Sequence, residues 1–256
     1  MASEATKRPA GINKERYADL AAYGAILVAV IAFFADALFG GKNFMSGGDN
    51  VAFYSFVPYL DAAKKSGEFP LWMPYIFGGM PSLASFLAAG ERSWDVLGGL
   101  IFSIPRAIGD IFGNDTARLA MWYTIYGWGV YTLMRVKGHT RAIGVFSSLG
   151  AIFSTFVIVW IMIGHSTKPV SMATLPWILL ALERLRERFT LANLFLLILP
   201  LIVLVTATHP QMMFYIGCGT ALYLLVELVT RIITKQGWIN VLKAGGGLAI
   251  AGVIAL

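Results

Sequence analysis

The chain has 256 residues, of which 57% are hydrophobic and only 13% are charged. Soluble domains usually carry about 25% charged residues, so this composition favours an integral membrane protein over a soluble one. The formal charge of +6 does not indicate nucleic-acid binding, because the basic residues alternate with apolar runs instead of sharing one face. The single cysteine, Cys218, excludes a disulfide within the chain.

Residues 1–19 are polar and are predicted to form a cytoplasmic tail. The apolar run 20–39 that follows is longer than the roughly 7–15 residues typical of a signal-peptide core. We therefore expect an uncleaved first span, although Ala35-Asp36-Ala37 resembles a signal-peptidase site. Basic residues before this run predict a cytoplasmic N-terminus.

Later apolar runs predict further spans. They cover residues 117–134, 142–163, 170–183, 190–207, 212–230 and a partial run from 239 onward. The links between them alternate in charge. The basic links contain Arg135, Lys137, Arg141, Arg184, Arg186, Arg188, Arg231 and Lys235, whereas 164–169 and 208–211 carry little charge. Because short cytoplasmic loops carry the excess of Lys and Arg, this alternation predicts basic links in the cytoplasm and the others outside.

The segment 93–112 is apolar, but Pro105, Arg106 and Asp110 interrupt it. If this segment crossed the membrane, every later basic link would move to the outer side. We therefore predict an interfacial or re-entrant segment within a long outer-face loop, 40–116.

The fold prediction for 20–256 is an all-α, polytopic transmembrane bundle of about seven spans, with interfacial helices in the outer loop. The chain ends inside an apolar run that lacks flanking anchors. We therefore expect it to be the N-terminal part of a longer protein.

Asp49 lies in a glycine-rich stretch of the predicted outer loop, Gly47-Gly48-Asp49-Asn50. A carboxylate in this setting can approach a ligand closely and act as a general base or as a ligand for a hard cation. The alternative is an ordinary solvated turn residue, since Asp and Asn favour turns.

The same loop contains the proline- and aromatic-rich stretch 68–81. Its three prolines exclude a regular helix, and Trp72 and Tyr75 suit a membrane interface. These aromatic side chains form either a packed cap on the headgroups or a wall for a sugar or a lipid head.

Two of the short outer links each contain a histidine. One holds His165 and Lys168, and the other holds His209 and Gln211. Together these groups offer donors for a phosphate or for a developing negative charge. The alternatives are hydrogen-bonded helix ends or a zinc site, and for zinc a third ligand at helical spacing is missing.

Three stretches resemble bacterial YfhO-like membrane proteins: GEFPLWMPYIFGGMP at 67–81, GHSTKPVSMATLPWILLALERL at 164–185 and THPQMMFYIG at 208–217. The GGDN at 47–50 fits the acidic start of the same loop. This family is similar to polytopic glycosyltransferases of the GT-C type, which use polyprenyl-phosphate-linked sugars on the outer face.

The resemblance implies that Asp49 is the catalytic carboxylate, contacting the acceptor. The predicted substrate contacts are His165, Lys168, His209, Gln211, Trp72 and Tyr75. Many GT-C enzymes carry a second acidic residue in the second outer loop, whereas 164–169 contains none. We therefore expect no metal and no other cofactor, with cationic donors binding the lipid phosphate.

These inferences predict a multi-pass protein of the bacterial cytoplasmic membrane. It would transfer a sugar from a polyprenyl-phosphate donor to a cell-envelope acceptor on the outer face. One alternative is a lipid or small-molecule transporter or flippase, which predicts ionisable residues at mid-membrane depth or broken helices in paired repeats. The other is a non-catalytic envelope-assembly protein whose outer loop is a docking surface.

Overall fold

The computed structural model describes residues 10–42, 49–67, 70–75, 78–81, 96–114, 116–165, 167–207 and 209–255. Most of these residues are helical, which confirms the all-α prediction. The helices are α1 (Ala10–Phe33), α2 (Ala35–Leu38), α3 (Asp49–Ser66), α4 (Val96–Phe112), α5 (Thr116–Val136), α6 (Arg141–Ile152), α7 (Thr155–Ile163), α8 (Thr167–Glu187), α9 (Leu191–Thr206), α10 (Pro210–Ile233) and α11 (Ile239–Ala255). A short antiparallel hairpin pairs β1 (Trp72–Met73) with β2 (Met80–Pro81).

Several of these helices have the length and composition of membrane spans. Within the described residues, three stretches are long and apolar enough to cross a membrane: Lys14–Phe33, Arg141–Ile163 and Pro210–Ile233. Two further apolar helices, Leu191–Thr206 and Ile239–Ala255, are shorter. At most 22% of each long stretch is buried inside the protein, as expected for helices that contact lipid. These helices agree with the integral membrane protein predicted from composition.

Two element boundaries differ from the prediction. Helix α1 begins at Ala10, inside the predicted tail 1–19. The Asp19 carboxylate of this helical extension accepts hydrogen bonds from Tyr131 of α5 and Arg141 of α6. The predicted span 142–163 is divided into α6 and α7 at Phe153 and Ser154. Beside this interruption, the Tyr123 hydroxyl donates to the Val157 carbonyl oxygen, at 2.8 Å.

Helix α8 lies at the centre of the bundle and packs against α5, α7, α9, α10 and α11. Its contact with α5 is close because Gly129 has no side chain at the point where Pro176 and Trp177 approach. The Trp177 indole N–H also donates to the Ile125 carbonyl oxygen, at 3.0 Å. A helix held this way on several sides fixes the positions of the residues at both of its ends.

The Gly129 contact leads to a stability prediction. A Cβ at position 129 would lie 2.7 Å from both Pro176 Cγ and Trp177 Nε1. Gly129→Ala should therefore lower the free energy of unfolding by about 1–3 kcal/mol, the usual cost of overpacking. Thermal unfolding in detergent micelles measures this effect. The control is Gly150→Ala in α6, where a Cβ meets no atom within 4 Å; an equal loss in the two variants would contradict the packing argument.

The contacts also give the directions of the helices. The Tyr23 hydroxyl bonds to Thr132 Oγ1 at 2.8 Å, while the Phe34 and Tyr123 rings meet at 5.4 Å, so α1 and α5 are antiparallel. The Asn114 side-chain amide donates to the Ala37 carbonyl oxygen. The chain between α1 and α5 therefore returns to the end of the bundle at which α1 finishes. We call this end, where α7 meets α8 and α9 meets α10, the histidine end, and the opposite one the arginine end.

Candidate functional site

At the histidine end, the turn between α7 and α8 positions His165. Gly164 closes α7 with φ +87°, a left-handed conformation that glycine adopts without strain. The Gly164 amide bonds to the Ile161 carbonyl oxygen and the His165 amide to that of Trp160, the Schellman arrangement that ends many helices. The chain then enters α8 at Thr167, with Lys168 in its first turn.

His209 is positioned by the start of α10. Its Nδ1 accepts a hydrogen bond from the Met212 amide at 3.3 Å, and Pro210 occupies the first turn, where a missing N–H costs nothing. Because Nδ1 accepts, the ring proton of neutral His209 lies on Nε2, which makes Nε2 a donor.

The structure brings the two predicted histidines together. The ring centroids of His165 and His209 are 6.4 Å apart and the rings meet edge to face. Burial lowers the pKa of His209 below its ordinary value, and the positive charges of Lys168 and His165 lower it further. The surroundings of His209 therefore disfavour a positive charge on its ring when no ligand is bound. The same surroundings favour the binding of an anion.

Gln211 bonds to a residue of its own helix, and the side chain of Asp49 is not described. The Gln211 side-chain amide donates to the Tyr215 hydroxyl at 2.9 Å, one turn along α10, and both side chains are exposed. Asp49 is the first residue of α3, so its backbone is helical. The side chain of Asp49 lies outside the described part of the chain, as do Gly47 and Gly48, and its contact with the histidines stays a prediction.

Trp72 and Tyr75 belong to a separate small unit formed by α3 and the hairpin. The Tyr59 hydroxyl donates to the Trp72 carbonyl oxygen at 2.8 Å, and the Tyr59 and Tyr75 rings meet edge to face at 5.5 Å. The Trp72 indole lies so close to Gly79 that a Cβ there would fall 2.6 Å from the ring. With 53% and 74% of Trp72 and Tyr75 exposed, their contacts with α3 leave large aromatic surfaces accessible.

No family model, curated protein or solved structure matches the chain. The YfhO-like resemblance therefore stays a prediction, and the functional argument depends on the site itself.

The largest polar cluster in the described part of the chain was missed by sequence reasoning. It lies at the arginine end, and we call it the glutamate network: Lys137, Glu183, Arg186, Tyr223, Glu227 and Arg231. Glu183, whose side chain is 3% exposed, accepts from Lys137 at 2.9 Å, from Arg186 and from the Tyr223 hydroxyl. Glu227 accepts from Lys137 at 3.1 Å, from Arg186 at 3.1 Å and from Arg231 at 3.4 Å.

A second ionic contact lies at the same end. The Asp19 carboxylate accepts from Arg141 at 2.8 Å, from Arg135 at 3.3 Å and from the Tyr131 hydroxyl at 2.6 Å. One feature of the sequence indicated these ion pairs. Acidic residues are rare in this chain, so each acidic residue beside an apolar run is a candidate ion-pair partner for the basic links.

The histidine end therefore offers donors for an anion. Its groups are the Nε2–H of His209, the imidazole of His165 and the ammonium of Lys168. Within the described ranges, no group of three or more His, Cys, Asp or Glu side chains is arranged to hold a metal ion. Two imidazoles beside an ammonium group suit a phosphate better than a cation, because Lys168 repels positive charge.

Proposed function

We propose that the chain is a multi-pass membrane protein that binds the phosphate of a lipid-linked sugar at its histidine end and acts as a GT-C-type glycosyltransferase. The observation that carries this proposal is the convergence of His165, His209 and Lys168 from two separate turns. Cationic and N–H donors that lie near one another can stabilise phosphate oxygens together.

The charge distribution supports an outer location for this site. The exposed basic residues of the arginine end include Lys14, Arg16, Arg184, Arg188, Lys235 and Lys243. Exposed aromatic residues Tyr17 and Trp238 lie near the same end, as expected at a membrane interface. Under the positive-inside rule the arginine end faces the cytoplasm, and the histidine end then faces outward.

In the proposed reaction, the hydrogen-bond donors of the histidine end act when the bond between the sugar and the phosphate breaks. Asp49 removes the proton of an acceptor hydroxyl, whose oxygen attacks the anomeric carbon of the sugar. The bond between that carbon and the phosphate oxygen breaks, and the electron pair stays on the lipid phosphate. Lys168 and the Nε2–H of His209 stabilise this negative charge.

Lys168 gives the test of the proposed function. Lys168→Met should lower the rate of sugar transfer about a hundredfold, the typical effect of losing one charge-stabilising donor. The measurement is mass spectrometry of cell-envelope glycans in a strain that lacks the gene, rescued by wild type or variant. Lys65→Met, at an exposed position of α3, is the matched control and should rescue fully. If Lys168→Met restores the glycan as well as wild type does, the phosphate role of Lys168 is wrong.

A transporter or flippase is the second candidate, favoured by the interruption between α6 and α7, since broken helices are typical of transport pathways. Reconstitution in liposomes distinguishes the two proposals. Movement of a fluorescent lipid phosphate between leaflets without any acceptor would favour the transporter.

A further inference from the structure

His209 has two roles in the structure that depend on its protonation. Its Nδ1 accepts the Met212 amide and so caps α10. Its ring also lies against His165 and close enough to Lys168 for their charges to act on it. A protonated imidazole has N–H donors on both nitrogens, so it cannot accept at Nδ1. Protonation therefore removes the cap.

Without a ligand, the surroundings oppose this protonation. His209 is partly buried, which disfavours its charged form. The charged or titratable groups that act on it from other elements, Lys168 and His165, carry or acquire positive charge. On its own helix, Gln211 and Tyr215 bond to each other.

A bound phosphate offsets these effects. Its negative charge favours a positive imidazole, and its oxygens accept hydrogen bonds from several donors at once. A phosphate oxygen at the start of α10 is also a suitable acceptor for the Met212 amide, because backbone N–H groups at helix starts bind anions. We infer that His209 takes up a proton when a phosphate group binds at the histidine end, and that a phosphate oxygen then replaces the imidazole as the cap of α10.

This inference rests on the proposed phosphate site and specifies its ligand and its regulation. The ligand is a phosphodiester or phosphomonoester, and binding tightens as the pH falls. For one linked proton, the Kd of the phosphate ligand decreases by up to about tenfold for each pH unit by which the pH falls. This holds between the pKa values of the liganded and the free imidazole. The pKa of the free imidazole lies below its ordinary value, so the lower limit of this window lies below the ordinary pKa of a histidine.

The test uses the full chain in detergent and a short-chain prenyl methyl phosphodiester, whose phosphate does not titrate in this range. Calorimetry in buffers of different ionisation enthalpy counts the protons taken up on binding. We expect about one proton per phosphodiester near pH 6.5, and a Kd at pH 6 several-fold below that at pH 7.5. His209→Asn is the informative variant, because asparagine is an equally good cap but does not titrate in this range.

The expected result for His209→Asn is binding that takes up no proton and changes little with pH. His139→Asn, at an exposed position of the arginine end, should behave as wild type does. NMR titration of the His209 ring in the wild type, with and without phosphodiester, gives the same information without a variant. The expected result there is an upward shift of its titration when the phosphodiester is present.

The outcomes separate this inference from the proposed function. Phosphodiester binding without proton uptake, or proton uptake retained in His209→Asn, overturns the coupling to His209 and leaves the phosphate site intact. Absence of phosphodiester binding at every pH between 5 and 8 overturns both.

Discussion

Replacing Asp49 with asparagine should lower sugar transfer by about 10²–10⁴-fold, the range expected when a general base is lost. Asparagine has nearly the same shape as aspartate but carries no carboxylate, so it cannot take the proton of the acceptor hydroxyl. At the first residue of α3, this substitution removes the base and leaves the size of the side chain almost unchanged. The measurement is the envelope glycan in a rescued deletion strain, together with the amount of protein in the membrane.

The matched control is Asp61→Asn, on an exposed position of the same helix. It should restore the glycan fully, since it removes the same charge from α3 without touching the proposed base. Unchanged glycan with Asp49→Asn would exclude Asp49 as the base. If substitutions at Trp72 abolished function while Asp49→Asn had no effect, a non-catalytic docking protein would be the better description.

Removing the Glu183 carboxylate should cause the largest loss of stability. Glu183→Leu leaves Lys137 and Arg186 with Glu227 as their remaining acidic partner and the Tyr223 hydroxyl without its acceptor. Breaking a buried ion pair from one side typically costs about 3–5 kcal/mol. Here the loss arises because the Glu227 carboxylate alone must then balance Lys137, Arg186 and Arg231. Unfolding of the purified protein in mixed detergent micelles measures this loss.

Glu187→Leu is the control for this prediction. Glu187 follows Glu183 by one turn of α8, but its side chain is 55% exposed and its pairing with Arg184 spans 3.7 Å. Exposed ion pairs contribute about 0–1 kcal/mol, so the control should change stability little. Similar losses in the two variants would show that the glutamate network is no more important than a surface pair.

Hydropathy allowed much of the bundle to be predicted. The predicted apolar runs contain helices whose limits lie within a few residues of the prediction, with two exceptions. Helix α1 begins ten residues before the run 20–39, and the run 142–163 is interrupted. The interruption was not predictable, because residues 153 and 154 carry no proline and no glycine. The turn at Gly164 was predictable as a link, and its left-handed conformation follows from the glycine itself.

The candidate site was predictable as a set of residues but not as a set of contacts. His165 and His209 stood out because histidines are rare in this chain and occupy two short links. Their approach to 6.4 Å depends on α8 and α10 starting at the same end of the bundle. Gln211 was predicted to belong to the site because it shares a short link with His209. Its amide bonds instead to Tyr215, because the direction of a side chain depends on its rotamer and on its helix face.

The sequence by itself determined the membrane class, the positions of the apolar helices and the alternation of basic and uncharged links. These are local properties, since the hydropathy of a segment and the charge of a link do not depend on the rest of the chain. The tertiary structure decided which side chains share a site. It placed His209 beside His165 and Lys168, and it surrounded Glu183 with Lys137, Arg186 and Tyr223. Such partners depend on the rotation and relative height of packed helices. Close contacts such as the one at Gly129 determine that rotation and height, whereas the pattern of residues along one segment does not.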